Sequence, residues 1–146
     1  QVTEARRNDL ARQIRHQAEA WSIGTSSVEE IDEFNILGAT KLAMVRAVQA
    51  LGLTADYLLI DGNQGIKMKV RQQTVVDGDC LSASIAAASI LAKVYRDELM
   101  NRLHKDYPCY NFAANKGYLT KEHASALKRF GACPIHRKSF APIKAV

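Results

Sequence analysis

Two carboxylates stand where chemistry could be done. Asp61 ends the apolar run Tyr57-Leu58-Leu59-Ile60, and Asp79 lies in Asp77-Gly78-Asp79, just before a long helical pattern. Each has an ordinary structural use, because Asp-Gly is a common turn and Asp a common helix cap. A carboxylate at a helix N-terminus is also favoured by about 0.3–1 kcal/mol. Strand ends and helix starts in α/β domains tend to open onto one cleft. Carboxylates meeting there can hold a hard divalent cation through oxygen. A two-metal site, with ions about 3.5–4 Å apart, needs more ligands than two aspartates supply.

Other constellations fail. His16, His104, His123 and His136 do not have H-E-x-x-H spacing, and Ser82, Ser84 and Ser89 lie outside any G-x-S-x-G turn. No Walker A loop is present. The histidines read as surface or packing residues, with His136, in a basic tail, set apart from the rest.

Basic and aromatic residues interleave from Tyr107 to Phe140. In Asn115-Lys116-Gly117-Tyr118 a lysine and a tyrosine flank a glycine, which lets backbone approach a ligand closely. Tyrosine offers a sugar both a stacking face and a hydroxyl. Ile135-His136-Arg137-Lys138-Ser139-Phe140 adds candidate phosphate contacts. The charge is divided in the same sense. Residues 1–92 carry 9 Lys/Arg against 11 Asp/Glu, whereas residues 93–146 carry 11 against 4. A basic C-terminal third suits a polyanionic partner, of which nucleic acid is the commonest, although a lysine-rich solvated surface would look the same.

The elements that must position these residues alternate between helix and strand. Thr3 can cap a helix to Ala20, and Trp21 to Gly24 alternates like a short strand. Ser27-Val28-Glu29-Glu30 has the form of a capping box, opening a short helix through Ile31 and Phe34. A second helical pattern runs from Thr40 to Leu51 and stops at Gly52. The uninterrupted Tyr57 to Ile60 run suits a strand buried on both faces. An extended segment reaches Val75-Val76. The longest helix follows, from about Leu81 to Asp106; its first half is small and apolar nearly all round and is expected to be buried. Tyr107-Pro108 ends it. A last amphipathic helix runs from Thr120 to Phe130 and closes at Gly131. The pattern is that of one α/β domain of ordinary size, with no internal repeat.

The composition, 47% hydrophobic and 24% charged over 146 residues, is that of a globular protein. No apolar run reaches the roughly 20 residues that span a bilayer, and the N-terminal residues lack the layout of a signal peptide. Cys80, Cys109 and Cys133 are odd in number and widely spaced, which supports neither a disulfide framework nor a zinc knuckle. Reduced thiols in a cytoplasmic protein are expected.

Taken in order, the strings resemble one family. Glu30-Ile31-Asp32, Asn35-Ile36-Leu37, Ala39-Thr40 and Ala43-Met44 resemble the helical region of ribonuclease HII. So do Leu58-Leu59-Ile60-Asp61-Gly62, Gly78-Asp79 and the run from Ser84 to Asp97. Tyr107-Pro108, Asn115-Lys116-Gly117-Tyr118, His123 and Pro134 to Phe140 continue the pattern. The resemblance implies a ribonuclease H-like mixed sheet flanked by helices. It implies an endoribonuclease using two Mg²⁺ or Mn²⁺ ions on RNA–DNA hybrids and on ribonucleotides embedded in duplex DNA. Asp61 and Asp79 match two of the family's four catalytic carboxylates. The other two open an Asp-Glu-x-Gly-Arg-Gly motif that the sequence does not contain. Residues 1–146 are therefore expected to be the C-terminal portion of a single catalytic domain, without its first strands and inactive alone.

By the same resemblance Tyr118 would stack on the sugar and register its 2′-hydroxyl. Lys116, Arg137 and Asn35 would position phosphates, while Asp97 reads as a helix residue paired with a nearby arginine. The complete enzyme is expected to be monomeric and to leave membranes alone, whereas open strand edges would make this chain prone to self-association. The alternatives are a non-catalytic nucleic-acid-binding fragment and a type HIII ribonuclease.

Overall fold

Two strands run side by side and finish at the same edge. In the computed structural model, which describes residues 2–144, β1 (Tyr57–Asp61) pairs in parallel with β2 (Arg71–Val75). Tyr57 lies opposite Arg71 and Asp61 opposite Val75, and the Gly62 amide extends the ladder to the Val75 carbonyl at 2.9 Å. The connection through residues 62–70 is short for a parallel crossover, which usually takes a dozen residues or more. The Gln72 side chain holds it. Its Oε1 accepts from the Ile66 amide at 2.9 Å and its Nε2 donates to the Ile66 carbonyl at 3.0 Å, with Ile66 itself buried.

The α/β class read from the sequence holds, and the described residues contribute this parallel pair to it. β1 is not covered on both faces as its composition suggested. Ile60 is buried and Leu58 half-buried, but Tyr57 and Leu59 are exposed. Alternation along a strand places Asp61 on the same open face as these two.

After β2 the chain turns at Asp77, in left-handed conformation with φ 53°. It forms the short helix α3 (Gly78–Leu81) and then the spine of the molecule, α4 (Ala83–Asp106). Ser82 caps α4, its Oγ accepting from the Ile85 amide at 3.4 Å. The small apolar first half of α4 is more open than its sequence implied: Ile85 is buried, but Ala83, Ser84 and Ala88 are exposed. Farther along, Leu91 and Val94 pack with Ala11 of α1 (Glu4–Gln17) into one core. Thr3 caps α1, which ends three residues before the expected Ala20.

The helix α2 (Val28–Gln49) joins the two expected helices. The capping box at Ser27 and Glu30 is present, and Asn35, at φ 59° and ψ 173°, breaks the run in the middle. No strand forms at Trp21 to Gly24, because this segment lies against a helix and not against another strand. Ser22 Oγ donates to the Ala47 carbonyl at 2.5 Å and Ser26 Oγ to the Ala39 carbonyl at 2.7 Å. A second core lies beyond α4, where Tyr110 of a 3-10 turn (Pro108–Tyr110) and Phe112 of α5 (Phe112–Asn115) meet Ala126 and Leu127 of α6 (Lys121–Phe130). Thr120 and Gly131 bound α6 as expected, and α7 (Ala141–Lys144) closes the described chain. All three cysteines are unpaired, and no described helix is long and apolar enough to cross a membrane.

Gly24 is where two backbones come closest. A Cβ there would sit 1.9 Å from the Ala43 carbonyl oxygen and 2.5 Å from the Ala47 nitrogen, neither of which can rotate away. Gly24→Ala should destabilise the chain by about 3 kcal/mol, the upper range for overpacking. Thermal unfolding followed by circular dichroism should show the midpoint several degrees lower; an unchanged midpoint would mean that α2 and the 21–24 segment are not in contact.

Candidate functional site

The acidic edge is built by one hydrogen bond. The amide of Gly78 donates to Asp61 Oδ1 at 2.9 Å, which brings the end of β1 to the start of α3, where Asp79 is the next residue. Gly78 is buried, and a Cβ on it would meet Ile85 Cδ1 at 2.6 Å and Asp61 Oδ1 at 3.2 Å. A larger residue would push the two carboxylates apart. Asp61, Asp77 and Asp79 are all exposed, at the carboxyl edge of a parallel pair, where open α/β sheets place their ligands. Cys80 registers the charge gathered there. Asp79, through its charge and a hydrogen bond, pushes the Cys80 thiol up, and burial, Asp77 and Asp61 add to the shift.

Asp79 therefore sits inside a one-turn helix and not at the cap of the long helix, a place that Ser82 takes. Asp77 is the neighbour that the pairing of Asp61 with Asp79 did not include; the Asp77-Gly78-Asp79 string is its signal in the sequence. Oxygen donors of this kind suit Mg²⁺ or Mn²⁺, but among the described residues no three Asp, Glu, His or Cys side chains gather around one point closely enough to hold an ion. The donor type fits a hard cation and the number falls short.

The second region is the loop after α5. Lys116 and Gly117 both take left-handed conformations, at φ 52° and 84°, and Tyr118 stands 64% exposed beyond them. Buried Asn115 holds the bend. Its Nδ2 donates to the Tyr110 carbonyl at 2.7 Å, and its Oδ1 accepts from the Gly117 amide at 2.8 Å. Lys116 Nζ donates to Asn101 Oδ1 at 2.9 Å. The Tyr118 hydroxyl accepts from Arg96 Nη1 at 2.9 Å, and the same guanidinium lies 5.3 Å from the ring centroid. Arg96 is in turn held by buried Asp97, which also accepts from Arg7 Nη2 at 3.1 Å. Burial would raise the Asp97 carboxyl, but Arg96, with Arg7 and Lys116, outweighs it and holds the group below the usual carboxylate range. Asp97 is thus the paired helix residue the sequence suggested.

A third region joins the C-terminal loop to α2. Asp32 accepts from the amides of Lys138 and Ser139 at 2.8 and 3.0 Å, and from the Ser139 hydroxyl. These contacts tie the segment after Arg137 to α2 at Asp32, three residues before the Asn35 break. Asn35 Oδ1 is occupied as a cap, accepting from the Leu37 and Gly38 amides at 2.9 and 3.1 Å. Arg137 stacks on Phe140 with its guanidinium 4.6 Å from the ring centroid. Buried His123 and His136 link this loop to the Tyr118 loop, their Nε2 atoms 3.2 Å apart. No hydrogen bond joins the acidic edge to the Tyr118 loop among the described residues; α4, which starts at one and carries Arg96 at the other, is their connection. Arg96 and the two histidines are the supports that residue spacing did not reveal, since the Arg96–Tyr118 and His123–His136 contacts span 22 and 13 residues in sequence.

Comparison with known proteins adds to this geometry. The family model described as Ribonuclease HII matches residues 1–143. A ribonuclease HII of Desulfitobacterium hafniense is 54% identical over 143 residues, covering 98% of this chain and 55% of the relative. One of Bordetella pertussis is 53% identical over 139 residues, covering 95% of this chain and 69% of the relative. The chain thus spans about half the length of the first of these relatives. The crystal structure of the ribonuclease H2 from Pyrococcus horikoshii superposes with a TM-score of 0.81 at 20% identity, covering 99% of this chain and 76% of that one. At that identity the likeness is one of fold.

His136 gives the stability of the fold a pH dependence. Burial, and then the neighbouring His123, push His136 below its usual value near 6.5. The folded chain therefore resists a proton that the unfolded chain accepts, so stability is full above about pH 6.5 and falls as the pH drops through the lower folded value. Urea midpoints should be lower at about pH 5.5 than at about pH 7.5, with the difference reduced in His136→Asn. Equal reductions in both proteins would assign the loss to other groups.

Proposed function

The chain belongs to the ribonuclease HII family, and on that premise we propose that it carries half of the carboxylate set of a metal-dependent endoribonuclease. The substrates are the RNA strand of RNA–DNA hybrids and ribonucleotides embedded in duplex DNA. The observation that supports this best is the Gly78 amide on Asp61 Oδ1. It brings two oxygen donors together at a strand edge and leaves the second oxygen of Asp61 without a partner among the described residues. In this reading residues 1–146 are part of a single catalytic domain whose remaining carboxylates lie outside the described residues. Mg²⁺ or Mn²⁺, when bound by the full set, would lower the pKa of water and stabilise the leaving 3′ oxygen.

The chain's own residues have separable tasks. Asp61 and Asp79 hold negative charge at the edge where a cation and a phosphate would meet. Tyr118 offers its exposed ring to a sugar. Because its hydroxyl already accepts from Arg96, the hydroxyl hydrogen is left to donate to a ribose oxygen, the group that separates RNA from DNA. Lys116 and Arg137 would exchange Asn101 and the Phe140 face for phosphate oxygens, locating the duplex without reading its sequence. Asn35 would contact phosphate through its amide nitrogen, since its oxygen caps the helix. A basic C-terminal third favours such a partner, and three unpaired thiols suit a cytoplasmic setting.

Two outcomes test the reading. The 146-residue chain should not cleave an RNA–DNA hybrid with Mn²⁺, because two carboxylates are too few; metal-dependent cleavage by the purified chain would contradict this. In a longer polypeptide that joins this sequence to the further carboxylates, Asp61→Asn or Asp79→Asn should lower kcat by about a hundredfold or more, the loss typical when one charge-stabilising group goes. Hybrid binding should survive in both. Unchanged turnover would remove that aspartate from the catalytic set.

A further inference from the structure

We propose that His123 and His136 are positioning residues: a one-way chain of hydrogen bonds from the Cys133 amide through both imidazoles to the Tyr118 carbonyl sets where the Lys116-Gly117-Tyr118 loop presents its ring. The inference rests on the reading of Tyr118 as the sugar-facing residue.

The direction of the chain follows from what each end can do. A carbonyl oxygen only accepts, so His123 Nδ1, 2.9 Å from the Tyr118 oxygen, carries the hydrogen. A neutral His123 then has a bare Nε2. At the other end a backbone amide only donates, so His136 Nδ1, 3.0 Å from the Cys133 nitrogen, is the acceptor. The Cys133 sulfur lies 3.0 Å from the same Nδ1. Burial pushes that thiol up and keeps it protonated, so it too can donate. A neutral His136 then carries its hydrogen on Nε2, facing the bare Nε2 of His123 at 3.2 Å. The four groups fit in only one sense, and both rings must be neutral.

The surroundings of the pair are apolar and closed. The rings of Tyr110 and Phe112 pack around the pair, with centroids 4.8 to 6.2 Å from the imidazoles, and both histidines are more than nine-tenths buried. The chain also acts where the loop needs it. Asn115 holds Gly117 from one side, but Tyr118, one residue on, has its carbonyl held by His123. Above it Arg96 holds the hydroxyl. Ring and backbone of Tyr118 are thus pinned from opposite ends, by Arg96 on α4 and by the histidine chain rooted in the C-terminal loop that carries Arg137.

The test begins with the unaltered 146-residue chain labelled with ¹⁵N-histidine. Long-range ¹H–¹⁵N correlation at about pH 7.5, where free histidine is neutral, should show His123 protonated at Nδ1 and His136 at Nε2. The opposite tautomers, or a charged ring, would overturn the proposal. Two variants then divide positioning from packing. His123→Asn places an amide donor where Nδ1 stood, whereas His123→Leu fills the space without one. Leu should move the Tyr118 ring resonances and lower affinity for an RNA–DNA hybrid about tenfold, the scale of one lost buried hydrogen bond. It should leave affinity for an all-DNA duplex of the same sequence nearly unchanged. Asn should keep the wild-type Tyr118 signals and hybrid preference within about twofold. A Leu variant with unmoved Tyr118 signals would overturn the proposal even if it binds nothing. If the unaltered chain prefers neither duplex while the tautomers and Tyr118 shifts are as stated, the nuclease reading fails and the positioning chain stands. A hybrid preference with reversed tautomers would have the contrary meaning.

Discussion

A buried amide and an exposed carboxylate share one hydrogen bond at the edge of the sheet, and the geometry of the acidic site follows from it. Gly78 has no room for a side chain, because Ile85 and Asp61 already occupy the space. Its amide opens a one-turn helix and so lacks a helical partner. Asp61 satisfies it with one oxygen. The end of β1 is thereby held beside the start of α3, and Asp79, Asp77 and Asp61 all act on the Cys80 thiol. Oxygen donors gathered at a strand edge are of the type that suits a hard divalent cation.

From this edge α4 carries the structure to its other working surface. Its start is tied to the acidic edge through Ser82 and Ile85, and its middle holds Asp97, a buried charge answered by Arg96 and Arg7. Removing one partner from such a group leaves an unpaired buried charge and is far more costly than a surface ion pair is worth. That arrangement orients Arg96, which presents Tyr118. The Asp32 contacts to Lys138 and Ser139 then bring the basic tail back to α2. In the proposed reading, the acidic residues before α4 and the basic, aromatic surface held from its middle would act on one phosphate backbone, the first at the bond cut and the second in holding the duplex.

Much of this was legible in the sequence wherever the signal is local. Thr3, Ser27 and Thr120 cap helices as their types and spacing suggested, Tyr107-Pro108 ends α4, and Asp61 falls at a strand end. Signals that depend on what lies across from an element were misread. Tyr57 and Leu59 are apolar and yet exposed, because composition says nothing about which layer covers a strand. Ala83 and Ala88 look like core, but small side chains are compatible with an open face as well. Trp21 to Gly24 alternates like a strand, but its neighbour is the backbone of α2, which offers carbonyls to Ser22 and leaves no room beyond Gly24. The histidine chain was out of reach for the same reason: His123 and His136 acquire a role only when folding sets them 3.2 Å apart.

The central claim is that the Asp61–Gly78 contact makes a cation-binding edge from these two aspartates. Paramagnetic broadening by Mn²⁺ tests it most directly, because it detects weak sites and assigns them to residues. Titrating Mn²⁺ into the ¹⁵N-labelled chain should broaden the amides of Asp61, Gly78 and Asp79 before any others and leave that of Tyr118 sharp, and Asp61→Asn should abolish the effect. Broadening that begins elsewhere, or that survives the substitution, would contradict the account.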